Sequence, residues 1–444
     1  MSSRVRVVLA GVVILTLLGG APAAASDATQ SDVASYVLSL SSGAINAGIR
    51  SNDVAARYGI DLERDFPALH EFSLMLTSQQ AALVAEDSDI AAMVPDSAIY
   101  LTDDPAGNSS ASATVAAVDQ RSGVDRIQAD TIGLPDGIRA ADVNVAVIDT
   151  GVSTKQPALN VVGGFNCLDG DVNSYGDANG HGTHVAGIIG ARDLGSGPRG
   201  VVPGAQIWAI KAFDSSGEST VSNFLCGVNW VAEHADMIQA VNFSAIFARV
   251  NVGGCGVSST GKVIDPVHQA ICLLVDDLGI PFVVAAGNGG SMASNVTPAT
   301  FPETISVGAI VDTDGKPGGL GERTKWGADD NRAGFSNYGP TVTLFAPGVD
   351  ILSTTIYGGY VSMSGTSMAT PFVTGAVALY RLVHPNATPA QIKNALIASG
   401  DPGTWATQPL LDVPRFLATD PSVVPVSRPA TDPLAFGADG LPAR

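Results

Sequence analysis

The stretch Val143-Asn144-Val145-Ala146-Val147-Ile148 is an almost continuous apolar run, and Asp149 follows it directly. A strand that is apolar on both faces is typical of a parallel sheet with helices packed on each side. Further runs of this kind alternate with helical segments and lie at residues 206–213, 238–243, 281–286, 304–310 and 342–345. The sequence therefore predicts an α/β fold from about residue 119, with a mostly parallel central sheet and helices on both faces.

Two polar residues stand where these predicted strands end. Asp149 closes the first run, and Asn288 follows the run at 281–286. In open α/β sheets, functional groups gather at the carboxyl ends of the strands. Both side chains are therefore candidates for a site at that edge.

Two helices are predicted near the end of this domain. Residues 368–383 are rich in small side chains, as expected of a buried central helix, and residues 388–400 begin with the helix-start signal Thr-Pro. Beyond them, residues 419–444 are rich in Pro and Asp and are predicted to be poorly ordered. The α/β domain is therefore assigned to residues 119–418.

Three segments are predicted before this domain. Residues 1–25 combine a basic start, a short apolar stretch and small residues, which is typical of a cleaved export signal. Residues 26–104 alternate short strands and helices and predict a small α+β domain, while residues 105–118 form an exposed linker. An uncleaved membrane anchor is the alternative for the first segment, but no basic stop-transfer cluster follows it.

The charge balance argues against polyanionic partners. The 444 residues include 23 basic and 42 acidic side chains, a formal net charge of −19. Attraction to nucleic acid or to an anionic membrane surface is therefore disfavoured. The hydrophobic content of 45% is enough for a large core.

Export makes disulfides plausible, and the chain contains four cysteines. Sequence alone allows three pairings. We favour Cys255 with Cys272, which are close in the chain, and Cys167 with Cys226, both as structural crosslinks. Neither spacing is that of a zinc site.

Three residues have local sequences that suit one reaction. A serine hydroxyl is a weak nucleophile until a base takes its proton, and that base is held in the right tautomer by a carboxylate. Ser367, His181 and Asp149 supply the three groups. Since Ser367 lies where a loop meets a helix, its N–H can face a developing oxyanion, and Asn288 is the natural second donor.

The order of these residues excludes one familiar class. An α/β-hydrolase requires Gly-x-Ser-x-Gly followed by an acid and then a histidine, which this chain lacks. Four motifs surround the candidate residues: Val-Ile-Asp-Thr-Gly at 147–151, His-Gly-Thr-His-Val-Ala-Gly at 181–187, Ala-Ala-Gly-Asn at 285–288 and Gly-Thr-Ser-Met-Ala-Thr-Pro at 365–371. Their sequences and order resemble the subtilisin-like serine peptidases, over roughly residues 120–415.

The resemblance implies a role for each matched residue. Asp149 would orient His181, which would act as general base and then as general acid. Ser367 would attack the substrate, and Asn288 would stabilise the oxyanion. Such a triad needs no cofactor.

The resemblance also implies a substrate groove and an inhibitor. Gly217-Glu218-Ser219 and Ser244-Ala245-Ile246 match the segments that hold the substrate as an additional strand in this family. Residues 26–104 resemble its inhibitory propeptide, a small α+β ferredoxin-like domain that is released by cleavage in the linker. The implied protein is a secreted, monomeric endopeptidase that acts on polypeptides and is made as a self-processed zymogen.

Metal binding has weaker support. His181 and His184 are three residues apart, but no adjacent glutamate completes the motif of a zinc peptidase, so His184 is interpreted as a packing residue. Many relatives bind calcium, yet the positions that usually supply ligands carry Ala158-Leu159, Leu194 and Thr343. Calcium is possible, but these usual sites look degraded. The segment Asp312-Thr-Asp314-Gly315 is interpreted as a solvated turn rather than an oxygen-rich ion site.

One substitution bears on specificity. Ile246 stands where the family normally has glycine, beside the primary specificity pocket. It is predicted to narrow that pocket and favour small residues before the scissile bond, or else to lower turnover generally. Ile246 and the altered calcium positions also leave an alternative function of another class. The chain would then be a catalytically impaired homologue that acts as a peptide-binding or inhibitory protein. A lipid or ester hydrolase conflicts with the motif order.

Overall fold

The computed structural model describes residues 33–101, 122–195, 197–247, 255, 265–402 and 408–422. The predicted export signal and linker lie outside these residues, as does most of the predicted C-terminal tail. No helix in this described part is long and apolar enough to cross a membrane.

An N-terminal unit, residues 33–101, contains five strands and three helices. They are β1 (Val33–Leu40), α1 (Ser42–Asn46), α2 (Ser51–Arg57), β2 (Leu62–Phe66), β3 (Glu71–Thr77), α3 (Ser78–Ala85), β4 (Ile90–Pro95) and β5 (Ala98–Leu101). Strands β1 to β4 form an antiparallel sheet in the order β2-β3-β1-β4. This is a ferredoxin-like arrangement, so the prediction of a small α+β domain is confirmed.

Local signals explain most of this unit. Thr77 Oγ1 accepts the Gln80 N–H at 3.2 Å, and Gln80 Oε1 accepts the Thr77 N–H at 3.0 Å, a reciprocal cap that starts α3. The sequence did not predict β2, because Leu-Glu-Arg-Asp-Phe is a charged edge strand without an apolar run.

The second unit follows from residue 122. Its elements are α4 (Ser122–Arg126), β6 (Asn144–Asp149), β7 (Asn160–Asn166), α5 (His181–Gly190), β8 (Gln206–Lys211), β9 (Glu218–Thr220), α6 (Val221–Glu233), β10 (Ala240–Phe243), β11 (Ala245–Ile246), α7 (Pro266–Cys272), β12 (Phe282–Ala285), β13 (Ile305–Ile310), β14 (Leu344–Pro347), β15 (Ile351–Thr354), β16 (Tyr360–Met363), α8 (Thr366–Val383), α9 (Pro389–Ser399) and α10 (Val413–Ala418).

Seven of these strands form one parallel sheet in the order β14-β13-β12-β10-β6-β8-β7. Strand β6 shows why both faces are covered. Val145 and Val147 pack into a core on one side with α5 and α8, while Ala146 and Ile148 pack into a second core with α6 and α7. The predicted α/β fold, with helices on both faces of a mostly parallel sheet, is confirmed.

Differences from the predicted elements are small. All six predicted strands are present, although the one expected at 342–345 begins two residues later, at Leu344. The edge strand β7 was missed, because Gly163 and Gly164 interrupt its apolar pattern and most of it is only half-buried. Helix α8 is buried from Thr366 to Tyr380, as predicted for a central helix.

Both favoured disulfides are present. Cys167, which follows β7, is joined to Cys226 in α6. Cys255 is joined to Cys272 at the end of α7. Both bonds therefore lie in the second unit and none crosslinks the described N-terminal unit.

Candidate active site

Asp149 and His181 are in direct contact. Asp149 is the last residue of β6 and is fully buried, and its two carboxylate oxygens lie 2.8 and 2.9 Å from His181 Nδ1. His181 is the first residue of α5, and its side chain remains 12% exposed. Gly182 makes this approach possible, because a Cβ there would overlap the carbonyl of Gly151. The carboxylate is thus placed to fix the orientation and tautomer of the imidazole.

A second carboxylate, which the sequence reasoning missed, fixes the loop before His181. Asp177 accepts hydrogen bonds from the Thr150 hydroxyl, at 2.9 Å, and from the Thr183 N–H, also at 2.9 Å. It thereby joins the residue after β6 to the first turn of α5. The available signal was an acidic residue four positions before His181, and acidic residues near a helix start are favoured there.

Ser367 lies in the first turn of α8 and is 1% exposed. Its hydroxyl donates to the Ser244 carbonyl at 3.1 Å, and the Ser244 hydroxyl donates to the Ser367 carbonyl at 3.0 Å. Asn242 Nδ2 donates to the Ser244 hydroxyl at 3.0 Å. The start of α8 is therefore held against the segment that follows β10.

Asn288 is oriented by the residue that precedes Ser367. Its Oδ1 accepts the Thr366 N–H at 2.9 Å and the Thr366 hydroxyl at 2.8 Å. Because the oxygen is held there, the amide nitrogen is turned towards Gly365, where an added Cβ would lie 3.2 Å from it. Thr366 was not among the predicted site residues, and only the tertiary contact reveals its role.

The packing of two helices brings the parts of the site together. Helix α5, which begins with His181, packs against α8, which carries Ser367. Asp149 and Asn288 come from neighbouring regions of the same sheet edge, after β6 and β12. All four predicted residues thus lie around the carboxyl edge of the sheet, as expected.

The predicted substrate segments flank a strand of the N-terminal unit. Strand β5 lies between β9 and β11 in a three-stranded sheet and is antiparallel to both. On one side Ile99 is opposite Ser219 and Tyr100 is opposite Glu218, and the Leu101 N–H donates to the Gly217 carbonyl at 3.2 Å.

On the other side of β5, Leu101 is opposite Ala245 and Tyr100 is opposite Ile246. Residue 245 directly follows Ser244, whose carbonyl accepts the Ser367 hydroxyl. The two segments therefore form a groove that binds an extended chain by main-chain pairing and directs its end towards Ser367.

His184 behaves as a packing residue, as predicted. It is fully buried, and its Nε2 lies 3.0 Å from the carbonyl oxygens of Ile351 and Val361. Burial lowers the pKa of His184 to about 3, so the ring is neutral. Its Nε2 faces carbonyls, which argues against a metal shared with His181.

These features together define the class of serine-type endopeptidases: a parallel α/β sheet, a carboxylate–imidazole pair, a serine in the first turn of a helix and a groove for an extended chain. Residues 140–412, more than half of the chain, match the model of the subtilase family. The chain belongs to the subtilase family.

Similar proteins agree with this assignment. Subtilisin DY of Bacillus licheniformis is 35% identical over 279 residues, which are 62% of this chain and 89% of that protein. An alkaline protease of Shouchella clausii is 33% identical over 349 residues, which are 78% of this chain and 80% of that protein.

Among solved structures, a cold adapted subtilisin-like serine proteinase is 32% identical. The match covers 65% of this chain and 97% of that chain, with a TM-score of 0.49.

Proposed function

We propose that this subtilase is a secreted endopeptidase with a catalytic triad of Asp149, His181 and Ser367, made as a zymogen that processes itself. The observation that carries the proposal is the buried Asp149 carboxylate 2.8 Å from His181 Nδ1, at the sheet edge where α8 presents Ser367. It would act as a monomer on polypeptides and require no cofactor.

In the proposed reaction, the Ser367 oxygen attacks the carbonyl carbon of the scissile bond while His181 takes the hydroxyl proton. Asp149 accepts the hydrogen bond from His181 Nδ1 and stabilises the imidazolium that forms. The imidazolium then gives its proton to the leaving amine, which leaves an acyl group on Ser367. Water, activated by His181, releases the acyl group and restores the serine.

Negative charge on the carbonyl oxygen needs donors that are already in place. Asn288 is suited to this role because its oxygen is fixed by Thr366 and only its NH₂ group remains directed to the site. The second donor would be the Ser367 N–H, at the positive end of α8. Neither donor has to reorganise as the charge develops.

The substrate would bind as β5 does, as a middle strand between β9 and β11. Gly217, Glu218 and Ser219 would hold one edge of it, and Ser244, Ala245 and Ile246 the other. The pairing uses main-chain groups, so it accepts many sequences, and side-chain pockets decide the preference.

Ile246 is proposed to narrow the pocket for the residue before the scissile bond. A Cβ built on Gly287 would lie 3.5 Å from Ile246 Cδ1, so the isoleucine reaches the backbone beside Asn288. We expect Ile246→Gly to raise kcat/KM for Phe-ending peptide substrates relative to Ala-ending ones, by roughly tenfold. A wild-type enzyme that already prefers Phe would contradict the proposal.

The N-terminal unit is proposed to be the inhibitory propeptide. Its last described strand, β5, occupies the groove that a substrate would use. The alkaline protease aligns over 349 residues, which is more than the number of residues from 140 to the last residue, so the similarity includes part of the chain before residue 140. Since Leu101 is opposite Ala245, one residue beyond Ser244, the first cleavage is expected within a few residues after Leu101. Export is proposed from residues 1–25 and from similarity to subtilisins.

A serine-directed fluorophosphonate probe tests the nucleophile. We expect the processed protein to be labelled at Ser367 and Ser367→Ala to remain unlabelled, whereas Ser399→Ala, at the end of α9, should label normally. Absence of labelling in the processed wild type would instead indicate an impaired homologue.

N-terminal sequencing of the secreted protein tests maturation. We expect a new N-terminus shortly after Leu101, and Ser367→Ala should accumulate the uncut chain, because the cut is made by the enzyme itself. Equal processing of Ser367→Ala and wild type would show that another protease makes the cut.

A further inference from the structure

The connection between β13 and β14 contains a cluster of carboxylates that the proposed reaction does not use. Asp312 and Asp329 are only 3% and 2% exposed, and Asp314 is half-buried. One carboxylate oxygen from each of the three lies within 4.8 Å of the others. The prediction of a solvated turn is therefore wrong for Asp312, because the chain between β13 and β14 brings Asp329 back next to it and buries it.

Main-chain hydrogen bonds hold these carboxylates in position. Asp329 accepts from the Thr313 N–H at 2.8 Å and from the Gly321 N–H at 2.9 Å, using one oxygen for each. Asp312 Oδ1 accepts from the Gly315 N–H at 2.9 Å. The positions of the carboxylates are thus fixed by the loop itself.

One oxygen of the cluster lacks a donor. Asp312 Oδ2 is buried and has no hydrogen-bond partner among the described residues. Burying a carboxylate oxygen without a hydrogen-bond donor costs free energy, and the cost is larger when the carboxylate is charged. Since its carboxylate neighbours offer only further acceptors, a proton, another donor or a cation is needed to satisfy it.

The Thr313 hydroxyl also donates to Asp329, at 3.0 Å, but no described side chain forms an ion pair with any of the three carboxylates. The buried guanidinium of Arg126 lies 2.6 Å from Asp330, a neighbouring carboxylate that is not one of the three. Three carboxylates at this spacing repel one another unless a cation or protons intervene.

We propose that Asp312, Asp314 and Asp329 bind one calcium ion. The three side chains supply only hard oxygen ligands, which suit calcium and not zinc or copper. Asp312-Thr313-Asp314-Gly315 alternates carboxylates and then turns at a glycine of positive φ, so both aspartates of the turn reach the same point. The bound ion would link the beginning of the segment 311–332 to its end.

The test uses the full chain carrying Ser367→Ala, which prevents self-digestion, after removal of metals with EDTA. Calcium alone is titrated by calorimetry, and the change in melting temperature is followed in parallel. We expect the parent chain to bind calcium and to melt at a higher temperature with it. Asp312→Asn and Asp329→Asn should each bind one ion fewer.

Two further variants make the result specific. Asp314→Asn changes a half-buried side chain with a single main-chain hydrogen bond, to the Lys316 N–H, so it should fold normally and weaken the site roughly tenfold or more. Asp277→Asn, an exposed aspartate elsewhere, should bind as the parent does. If the parent binds no calcium, or if Asp314→Asn and Asp312→Asn bind it like the parent, the proposal is overturned.

Discussion

The N-terminal unit and the second unit bury their residues in different ways. The second unit covers both faces of its sheet with its own helices and forms two cores. The N-terminal unit has one small core between its sheet and its helices. Four of its buried apolar side chains, Val37, Phe66, Leu69 and Ile99, pack into a core of the second unit instead.

This difference indicates which unit depends on the other. A domain of about 70 residues buries too little surface to be strongly stable by itself. Part of the burial of the N-terminal unit is supplied by the surface of the peptidase unit, and the described disulfides both lie in the peptidase unit. A unit held in this way would lose part of its burial once it is released, which suits the proposed role of a removable propeptide.

The largest expected effect comes from Ile99, which is 1% exposed in the groove. In the uncut Ser367→Ala chain, Ile99→Asp would bury a charge among apolar side chains. We expect amide hydrogen exchange across β5 to accelerate about 1000-fold, the equivalent of about 4 kcal/mol. Tyr100→Asp is the matched control, since Tyr100 is 52% exposed, and equal exchange rates in the two variants would show that β5 is not held by burial.

A smaller effect is expected at Asp96, which precedes β5. Its carboxylate accepts the Ser222 N–H at 2.8 Å and the Ser222 hydroxyl at 2.7 Å, at the first turn of α6. Asp96→Ala should weaken the binding of the N-terminal unit to the peptidase unit by about 1.5 kcal/mol, roughly tenfold, and, under the proposed propeptide role, shorten the lag before activity appears. Asp61→Ala, at an exposed position directly before β2, should leave the lag unchanged; if both variants behave alike, this contact contributes nothing.

The smallest effect, per unit of pH, is expected at Glu71. It is 1% exposed in β3, accepts the Ser39 hydroxyl at 2.9 Å, and its pKa is raised well above the usual value by burial and by Asp265 of the peptidase unit. Because the folded pKa is raised, its contribution is complete below about pH 4.3 and is lost as the pH rises towards the folded pKa. The N-terminal unit should therefore loosen by up to about 1.4 kcal/mol per pH unit in that window.

Glu71→Gln should remove this dependence, because the amide does not ionise. Hydrogen exchange of residues 33–101, measured at several pH values in the uncut Ser367→Ala chain, reports it. Glu86→Gln, at an exposed position, should retain the wild-type slope. If the stability of residues 33–101 against exchange does not change with pH in the Ser367→Ala chain that retains Glu71, ionisation of Glu71 does not weaken the unit.

Much of the candidate site was predictable because its chemistry is local. Asp149 ends an apolar strand, and His181 and Ser367 lie in motifs that fix both their helix starts and the glycines beside them. Asp177 and Thr366 were missed, since each acts on residues that become neighbours only on folding. Asp312 was misinterpreted for the same reason: aspartates near glycine are usually exposed, and its burial is caused by a segment that returns at Asp329.

The sequence by itself determined the α/β class and the order of the catalytic candidates, because periodicity, turn signals and motifs act over a few residues. It left three cysteine pairings open, and the structure contains the pairs Cys167–Cys226 and Cys255–Cys272. Only the tertiary structure decided that β5 lies between β9 and β11 and that Thr366 orients Asn288. It also decided that the carboxylates of Asp312, Asp314 and Asp329 lie close together in the connection that follows β13. Each of these depends on contacts between segments far apart in the chain, and burial or hydrogen-bond geometry at such contacts is set by packing rather than by any local pattern.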